Sequence, residues 1–180
     1  MAVIFSPDLP NQASPPVLPP VARVGGRERV ITGSFEVATT DIDNTNDIIL
    51  IAQIQSGDVL LELSTGHDDI DVGTALLLDI GLCDVAGGDI DTDGSSTSHD
   101  LFSSAVAGGA SAVALTDRRF DDPAEDTVDQ RLWELVNSQS TGTPFTNDPS
   151  VAWFICISIN VVPTTAAAGT FNYRIRYVRD

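Results

Sequence analysis

The chain has 180 residues and a formal net charge of −17, which arises from 21 aspartates and 5 glutamates against 9 arginines and no lysine. An acidic surface repels DNA and anionic membranes, so neither nucleic acid nor a membrane is an expected partner. Without lysine, the chain can form neither a P-loop nucleotide site nor a Schiff base.

Six of the ten prolines lie within the first twenty residues, at Pro7, Pro10, Pro15, Pro16, Pro19 and Pro20. Proline fixes φ and lacks an N–H donor, so this segment is predicted to join neither a sheet nor a helix and to extend as polyproline II. The stretch from Pro7 to Pro20 would then reach roughly 40 Å. The composition predicts an extended arm over residues 1–26, with a disordered tail as the alternative, and a folded domain over residues 27–180.

The N-terminus lacks the pattern of a secretion signal. Residues 1–5 are apolar, but they have no basic flank and run straight into the proline-rich segment. No apolar run approaches the ~18 residues of a membrane span. We therefore expect synthesis in the cytoplasm.

Six segments have the apolar patterns of β-strands. They cover residues 29–37, 47–54, 59–63, 75–83, 151–161 and 171–178. Alternation places alternate residues of three of these segments on a common face: Val59, Leu61 and Leu63 in the third, Val151, Trp153, Ile155, Ile157 and Ile159 in the fifth, and Phe171, Tyr173, Ile175 and Tyr177 in the sixth. The core face predicted for the fourth segment consists of Leu76, Leu78, Ile80 and Leu82. The stretch 101–115 has no assignable pattern.

One helix is signalled, with Asp122 as its N-cap and apolar residues at helical spacing to about Asn137. Strands joined by turns and interrupted by one short helix predict an all-β fold. We expect an antiparallel β-sandwich, jelly-roll-like, that carries the proline-rich arm. A parallel sheet would need a crossover, usually a helix, between most strand pairs, and the sequence lacks those helices.

Cys83 and Cys156 each lie inside an apolar strand-like run. This position favours buried free thiols, and one cross-sheet disulfide is the alternative.

The acidic loop over residues 89–100 has the spacing of a calcium loop. Its candidate ligands are Asp89, Asp91, Asp93, Ser95 and Asp100. The last position holds aspartate where an EF-hand carries glutamate, and a strand-like segment precedes the loop, so an EF-hand pair is not expected. A lone Ca²⁺ site between strands is one interpretation, and a solvated aspartate-rich turn is the other. No other cofactor is expected.

Two further groups of charged residues invite interpretation. His67 lies close to Asp68, Asp69 and Asp71, a pattern that we interpret as hydrated turn residues and not as a metal site. Arg174 and Arg176 form a basic stripe, for which pairing with the chain's own aspartates is the default interpretation and contact with an acidic neighbouring subunit is the other. The sequence contains no GxSxG, HExxH, CxxC or dinucleotide motif, so no enzymatic activity is expected.

Several short segments taken together resemble small virion structural proteins of tailed bacteriophages, of the capsid decoration or cement type. The resemblance is carried by GGRERVITGSFEVA, IAQIQSGDVLLEL, GTALLLDIGLCDVAGGDIDTD with LFSSAVA, QRLWELV and AAAGTFNYRIRYV. It spans roughly residues 24–178, and it leaves out the proline-rich segment.

The resemblance implies a jelly-roll-like sandwich that acts on a virus particle and has no catalytic residues. We expect a decoration or cement protein on the capsid exterior, bound to the major capsid protein and to copies of itself, as a trimer. The prolines of the arm, together with Arg174 and Arg176, are the expected contacts. The alternative is a head or tail fibre component, or a calcium-dependent adhesin, that recognises host surface glycans.

Overall fold

A computed structural model describes residues 2–5, 27–45, 47–84, 86–90, 98–109, 111–119, 130–139 and 144–179. The strands are β1 (Ala2–Phe5), β2 (Arg27–Val37), β3 (Ile48–Gln55), β4 (Val59–His67), β5 (Leu77–Cys83), β6 (Ser103–Ala107), β7 (Val113–Asp117), β8 (Ala152–Val161) and β9 (Gly169–Arg179). Helix α1 covers Leu132–Gln139. Short 3₁₀ turns lie at Thr39–Asp41 and Ser98–Asp100.

The strands form two antiparallel sheets. Sheet A has the order β1-β2-β9-β4-β7, and sheet B has the order β3-β8-β5-β6. The pairs β2 with β9, β3 with β8, β4 with β7 and β5 with β6 are nested in sequence and alternate between the sheets. This is one long antiparallel ribbon rolled into two layers, which is the topology of a jelly roll. The predicted all-β, jelly-roll-like sandwich is confirmed.

Alternating side chains of both sheets fill one apolar core between the layers. The predicted core face of the fourth segment is confirmed, because all four of its members are at most 2% exposed. On β9, alternate residues from Phe171 to Tyr177 point into the core as predicted. Burial of one such aliphatic or aromatic side chain contributes about 1.5–3 kcal/mol, so these rows stabilise both sheets.

Strand β4 differs from its prediction in length and in phase. It continues through His67, and a register shift against β9 lies between Leu60 and Glu62. The irregularity moves Leu60 and Leu63 into the core, whereas Leu61 is only half-buried. The prediction that Val59, Leu61 and Leu63 share one face is therefore wrong, since a bulge inserts one residue into the alternation.

The prediction that Val151 shares a face with Trp153 and Ile155 is also wrong, because 42% of its surface is exposed while both of these residues are buried. It precedes β8, which begins at Ala152, and follows Ser150, whose φ of 53° lies in the left-handed region. A turn at Ser150 breaks the alternation before the strand begins, so Val151 does not share the phase of the strand.

The helix begins later than the sequence predicts. Residues 120–129, which include the expected N-cap Asp122, lie outside the described residues. Helix α1 starts at Leu132 and extends two residues past the predicted end, to Gln139. A continuous helix from Asp122 to Asn137 is therefore wrong.

A long-range contact sets the start of α1. Arg131 forms an antiparallel bridge with Val59, and the N–H of Leu132 bonds the carbonyl of Asp58 at 3.0 Å. A residue held in a bridge does not continue a helix, so α1 begins one residue later. Glu134 accepts the N–H of Arg131 at 3.1 Å, which caps the first turn from within.

The first residues of the predicted arm belong to sheet A. Strand β1 pairs antiparallel with β2 in the register Ala2↔Thr32 to Phe5↔Arg29. The prediction that the first twenty residues cannot join a sheet is wrong for residues 2–5, because the prolines begin only at Pro7. All six prolines of the segment lie outside the described residues, so the extended arm stays a prediction for residues 6–26.

Both cysteines are buried free thiols, as the sequence favoured. They lie on the adjacent strands β5 and β8, with Cys156 opposite Gly81 and Cys83 opposite Phe154. A hydrogen bond with Cys83 and burial raise the pKa of the Cys156 thiol far above its usual range. The neutral thiol is thus the stable form in the core.

The loop after β4 is held by a buried carboxylate. Asp71 is fully buried and accepts backbone N–H groups from residues 73, 75 and 76 of its own loop and from Thr164 and Thr165 of the β8–β9 connection, at 2.9–3.4 Å. Burial raises the pKa of Asp71, but these hydrogen bonds outweigh burial and hold the pKa below its ordinary value of 3.8. Asp71 therefore joins two loops at one end of the sandwich.

His67 is buried as well, at 3% exposure. Its ring stacks on Phe171 with ring centroids 6.0 Å apart, and its Nδ1 lies 2.7 Å from the carbonyl oxygen of Asp68. The interpretation as hydrated turn residues is wrong for His67 and Asp71, whereas Asp68 and Asp69 are exposed as expected. Because β4 continues to His67, this residue pairs with Phe171 of the neighbouring strand β9, and its ring is buried there instead of lying in a solvated turn.

We predict that Asp71→Asn lowers the free energy of unfolding by about 3 kcal/mol at pH 7, because an amide cannot accept all five N–H groups and brings its own donors into a buried site. Urea denaturation measures the change. The control is Asp69→Asn on the exposed neighbour, which should stay within about 0.5 kcal/mol of the unmodified chain.

The loss of stability in Asp71→Asn should also depend on pH. A lowered folded-state pKa contributes stability that is fully present above pH 3.8 and is lost as the pH falls through the folded-state value. The difference between Asp71→Asn and the unmodified protein should therefore shrink below that pH. A difference that is equal at pH 7 and pH 3 would contradict the assignment.

Candidate functional site

The outer face of sheet A carries a row of charged side chains. Along β9, Arg174 and Arg176 alternate with the buried Tyr173 and Ile175, so both guanidinium groups point away from the core. Strand β9 lies between β2 and β4, and the register sets Glu62 of β4 directly beside Arg176. Opposite charges on neighbouring strands can therefore meet across the face.

Glu62 is the centre of this network. It accepts Nε of Arg174 at 2.7 Å, Nη1 of Arg176 at 3.5 Å and the hydroxyl of Ser64 at 2.7 Å. Arg176 also donates its Nε to Glu28 of β2 at 2.7 Å. The chain of contacts Glu28–Arg176–Glu62–Arg174 thus joins the three central strands of sheet A by their outward side chains. We refer to these four residues as the outer ion network.

Electrostatics within the network follow from its geometry. Burial raises the pKa of Glu62, but the hydrogen bonds from Ser64 and Arg174 outweigh burial and set the pKa below its ordinary value of 4.5. The hydrogen bond to Glu28 raises the pKa of Arg176. Glu62 and Arg176 are therefore both charged near neutral pH.

For Arg174 and Arg176 the sequence offers two interpretations, internal pairing with aspartates as the default and contact with a neighbouring subunit. The structure places both in internal pairs, with glutamates and not with the abundant aspartates. About half of each guanidinium side chain stays exposed, 50% for Arg174 and 42% for Arg176. Contact of these exposed parts with a neighbouring subunit stays a prediction.

The acidic partners were missed. Glu62 lies in an apolar run whose phase the β4 bulge changes, and Glu28 precedes the predicted start of its strand. The alternation of β2, extended by two residues to Arg27, was the one signal that could have placed Glu28 on the outer face.

At the edge of this face, β2 lies between β9 and β1. Its whole length from Arg27 to Val37 is in continuous register with β9, and its other side receives β1 over Arg29–Thr32. Gly33 of β2 lies directly beside the ring of Tyr173 in β9. A Cβ at this position would lie 2.4 Å from the hydroxyl oxygen of Tyr173. Glycine leaves room for the tyrosine ring to lie across the strand, which keeps this part of the edge close to β9.

A polar cleft of about 300 Å³ lies where the β3–β4 turn approaches α1 and the end of β9. Within it, the fully buried Asp58 accepts two hydrogen bonds from Arg179, from Nε at 2.8 Å and from Nη2 at 2.6 Å. The hydroxyl of Ser56 donates to Asp148 at 2.5 Å. The Asp58 hydrogen bond raises the pKa of Arg179. These groups satisfy one another, so the cleft serves to fasten the chain's last strand.

The predicted calcium loop falls largely outside the described residues. Asp91, Asp93 and Ser95 are not described. Of the described candidates, Asp89 accepts the hydroxyl of Ser98, while Asp100 lies in the short 3₁₀ turn after it. Within the described ranges, no group of three or more metal-ligating side chains converges. Calcium binding stays a prediction.

No protein-family model matches the chain, and no curated protein matches it. Among solved structures, the chain is similar to one in the cyanophage Pam1 capsid asymmetric unit, with 17% identity over 93% of this chain and 96% of that chain and a TM-score of 0.45. It is also similar to a chain in the capsid of Ralstonia phage GP4, with 17% identity over 84% of each chain and a TM-score of 0.47.

Within the described part of the chain, no helix has the length and apolar character that crossing a bilayer requires.

We predict that Glu62→Gln destabilises the protein by about 1 kcal/mol at pH 7 and low salt, because both arginines lose their shared charged acceptor at a partly exposed site. The loss should shrink as salt screens the network. It should also shrink as the pH falls below 4.5 and through the lowered pKa of Glu62. Thermal unfolding over a salt and pH series measures it.

The matched control is Glu36→Gln, at an exposed glutamate whose carboxylate accepts the Thr170 hydroxyl at 2.8 Å. This change should cost less than about 0.5 kcal/mol and should depend little on salt. Equal effects of the two changes would show that the outer ion network contributes nothing beyond an ordinary surface contact.

Proposed function

We propose that this chain is a virion structural protein, a capsid decoration or cement protein that binds the outer surface of the major capsid lattice. In this role the sandwich is a rigid block, and the N-terminal arm clamps neighbouring subunits. The observation that carries the proposal is the placement of β1, which reaches the edge of sheet A through a connection of 21 residues, far longer than a hairpin requires.

The properties of the body suit a passive structural role. Its two layers share one core, and the outer ion network satisfies its own charges across three strands. The net charge of −17 favours a position outside the shell, because a protein lining the interior would meet packaged DNA of the same sign. The sequence resemblance to decoration and cement proteins supports the same role.

Several weak contacts together hold such a protein on a lattice. An arm and a body that engage different sites raise the effective affinity without any single tight site. We assign the main contribution to the arm, with its six prolines, and a smaller one to the exposed parts of Arg174 and Arg176. The partners are the major capsid protein and further copies of this chain, which we propose form a trimer.

The alternative, a module that recognises glycans, receives no support from the surface. Glycan sites usually present aromatic faces to solvent. In the described ranges, the exposed large apolar residues are aliphatic: Leu50, Val72, Leu115, Val151 and Val161. The aromatic residues of β9 and Trp153 of β8 lie in the core instead.

We predict that a chain reduced to residues 27–180 binds capsids that lack the protein at least tenfold more weakly than the full chain, because it loses the multivalent contact. Its circular dichroism should stay near native, since among the described residues β1 pairs only with Arg29–Thr32, at the edge of sheet A. Co-sedimentation with particles measures the binding.

The control is full-length Arg174→Ala, which removes one partly exposed guanidinium but keeps the arm. Its binding should fall by no more than a few-fold, since an exposed charge contributes up to about 1 kcal/mol. Binding of the truncated chain that equals that of the full chain would overturn the role of the arm.

A further inference from the structure

The two sheets offer four outer edges, and three of them are poor templates for a further strand. Strand β7 has five residues, and its register with β4 shifts after Thr65. Strand β3 has a register shift between Leu50 and Ala52. Short and irregular edges of this kind limit pairing with other chains.

Strand β6 is short and irregular as well. It has five residues, and its register with β5 shifts between Leu78 and Ile80. Within it, Ala105 has a φ of 56°, in the left-handed region, and its N–H donates to the carboxylate of Asp79 at 2.7 Å. Such an edge is a poor template for an added strand.

The edge of β2 differs from these three. It is eleven residues long and keeps an unbroken register with β9 from Arg27 to Val37. A regular strand of this length presents a row of N–H and C=O groups on its free side. Strand β1 covers four of these positions, Arg29 to Thr32, and in the described part of the chain no other strand pairs with this side.

The connection between β1 and β2 is long enough for β1 to pair either with β2 of its own chain or with β2 of another copy. Neighbouring antiparallel strands need a loop of about two residues, whereas here 21 residues separate Phe5 from Arg27. At full extension these residues span at most roughly 70 Å. A folded domain of about 155 residues has a radius of gyration of about 15 Å, so the connection is long enough to reach an adjacent copy.

We propose that β1 is exchanged between copies of this chain, so that Ala2–Phe5 of one copy pairs with Arg29–Thr32 of the next in the register seen within one chain. Exchange keeps the same backbone hydrogen bonds, so the balance depends on the local concentration of the competing strand. A tethered strand has an effective concentration in the millimolar range, and copies held side by side reach similar values. This inference deepens the proposed function by naming a second copy as the partner of the arm.

Cysteine cross-linking between two variants tests the exchange in free protein. One carries Ile4→Cys and the other Val30→Cys, at positions that are opposite each other in the register. Cys83 and Cys156 stay in place because both are fully buried. After mixing equal amounts and brief oxidation with oxidised glutathione, a non-reducing gel should show the mixed dimer in about a quarter of the chains at ~1 mM total protein and in roughly half a per cent at ~10 μM, as an effective concentration of ~1 mM requires.

Two controls keep the result interpretable. Ile4→Cys mixed with Ser34→Cys is out of register by four residues and should give at most a trace of the mixed dimer. The pair Ala2→Cys and Thr32→Cys, which is also in register, repeats the test if one of the first variants folds poorly.

The inference fails if the double variant Ile4→Cys/Val30→Cys forms only an intrachain disulfide while the mixture gives no mixed dimer at ~1 mM. It also fails if neither forms, since β1 would then not pair in this register. Because no capsid is present, failure here is separate from failure to bind particles. A chain that exchanges β1 but ignores capsids would overturn the proposed function alone.

Discussion

The two-sided pairing of β9 is the constraint on which the rest of this structure depends. Gly169–Arg179 pairs in unbroken register with β2 on one side, and it pairs with β4 across one bulge on the other. Its inward residues fill the core, and its outward arginines link Glu28 and Glu62 across the sheet. One strand therefore holds sheet A together by backbone, core and surface contacts at once. Because β9 pairs with one edge of β2, only the opposite edge of β2 is left to pair with the N-terminal strand β1.

That arrangement separates a rigid body from a long connection. Asp71 ties the β8–β9 loop to the loop after β4, and the Asp58–Arg179 pair fastens the last residue of β9 at the opposite end of that strand. Both ends of the central strand are thus fixed by carboxylates with saturated hydrogen bonds. The N-terminal strand meets this body through backbone pairing of four residues, and the proposed exchange would supply the same pairing from a neighbouring copy.

Sequence alternation found six of the nine described strands, because side chains of a half-buried strand repeat every two residues, but it missed β1, β6 and β7. It placed Leu78 and Ile80 correctly, and the succession of strands joined by turns predicted the jelly-roll-like sandwich. It failed where a contact distant in sequence decides the outcome. The bulge at Leu61, the start of α1 set by the Arg131–Val59 bridge and the burial of Asp71 all depend on partners that local patterns do not contain. The pairing of Glu62 with Arg174, 112 residues away, is of the same kind.

The most direct test of a capsid role is to count this chain in purified virus particles by quantitative mass spectrometry, before and after external protease treatment of intact particles. A decoration or cement protein should occur in a fixed ratio to the major capsid protein, and protease should reach it while the packaged DNA stays protected. A chain that is present in infected cells but absent from finished particles, or that protease reaches only after the shell is opened, would contradict a place on the capsid exterior.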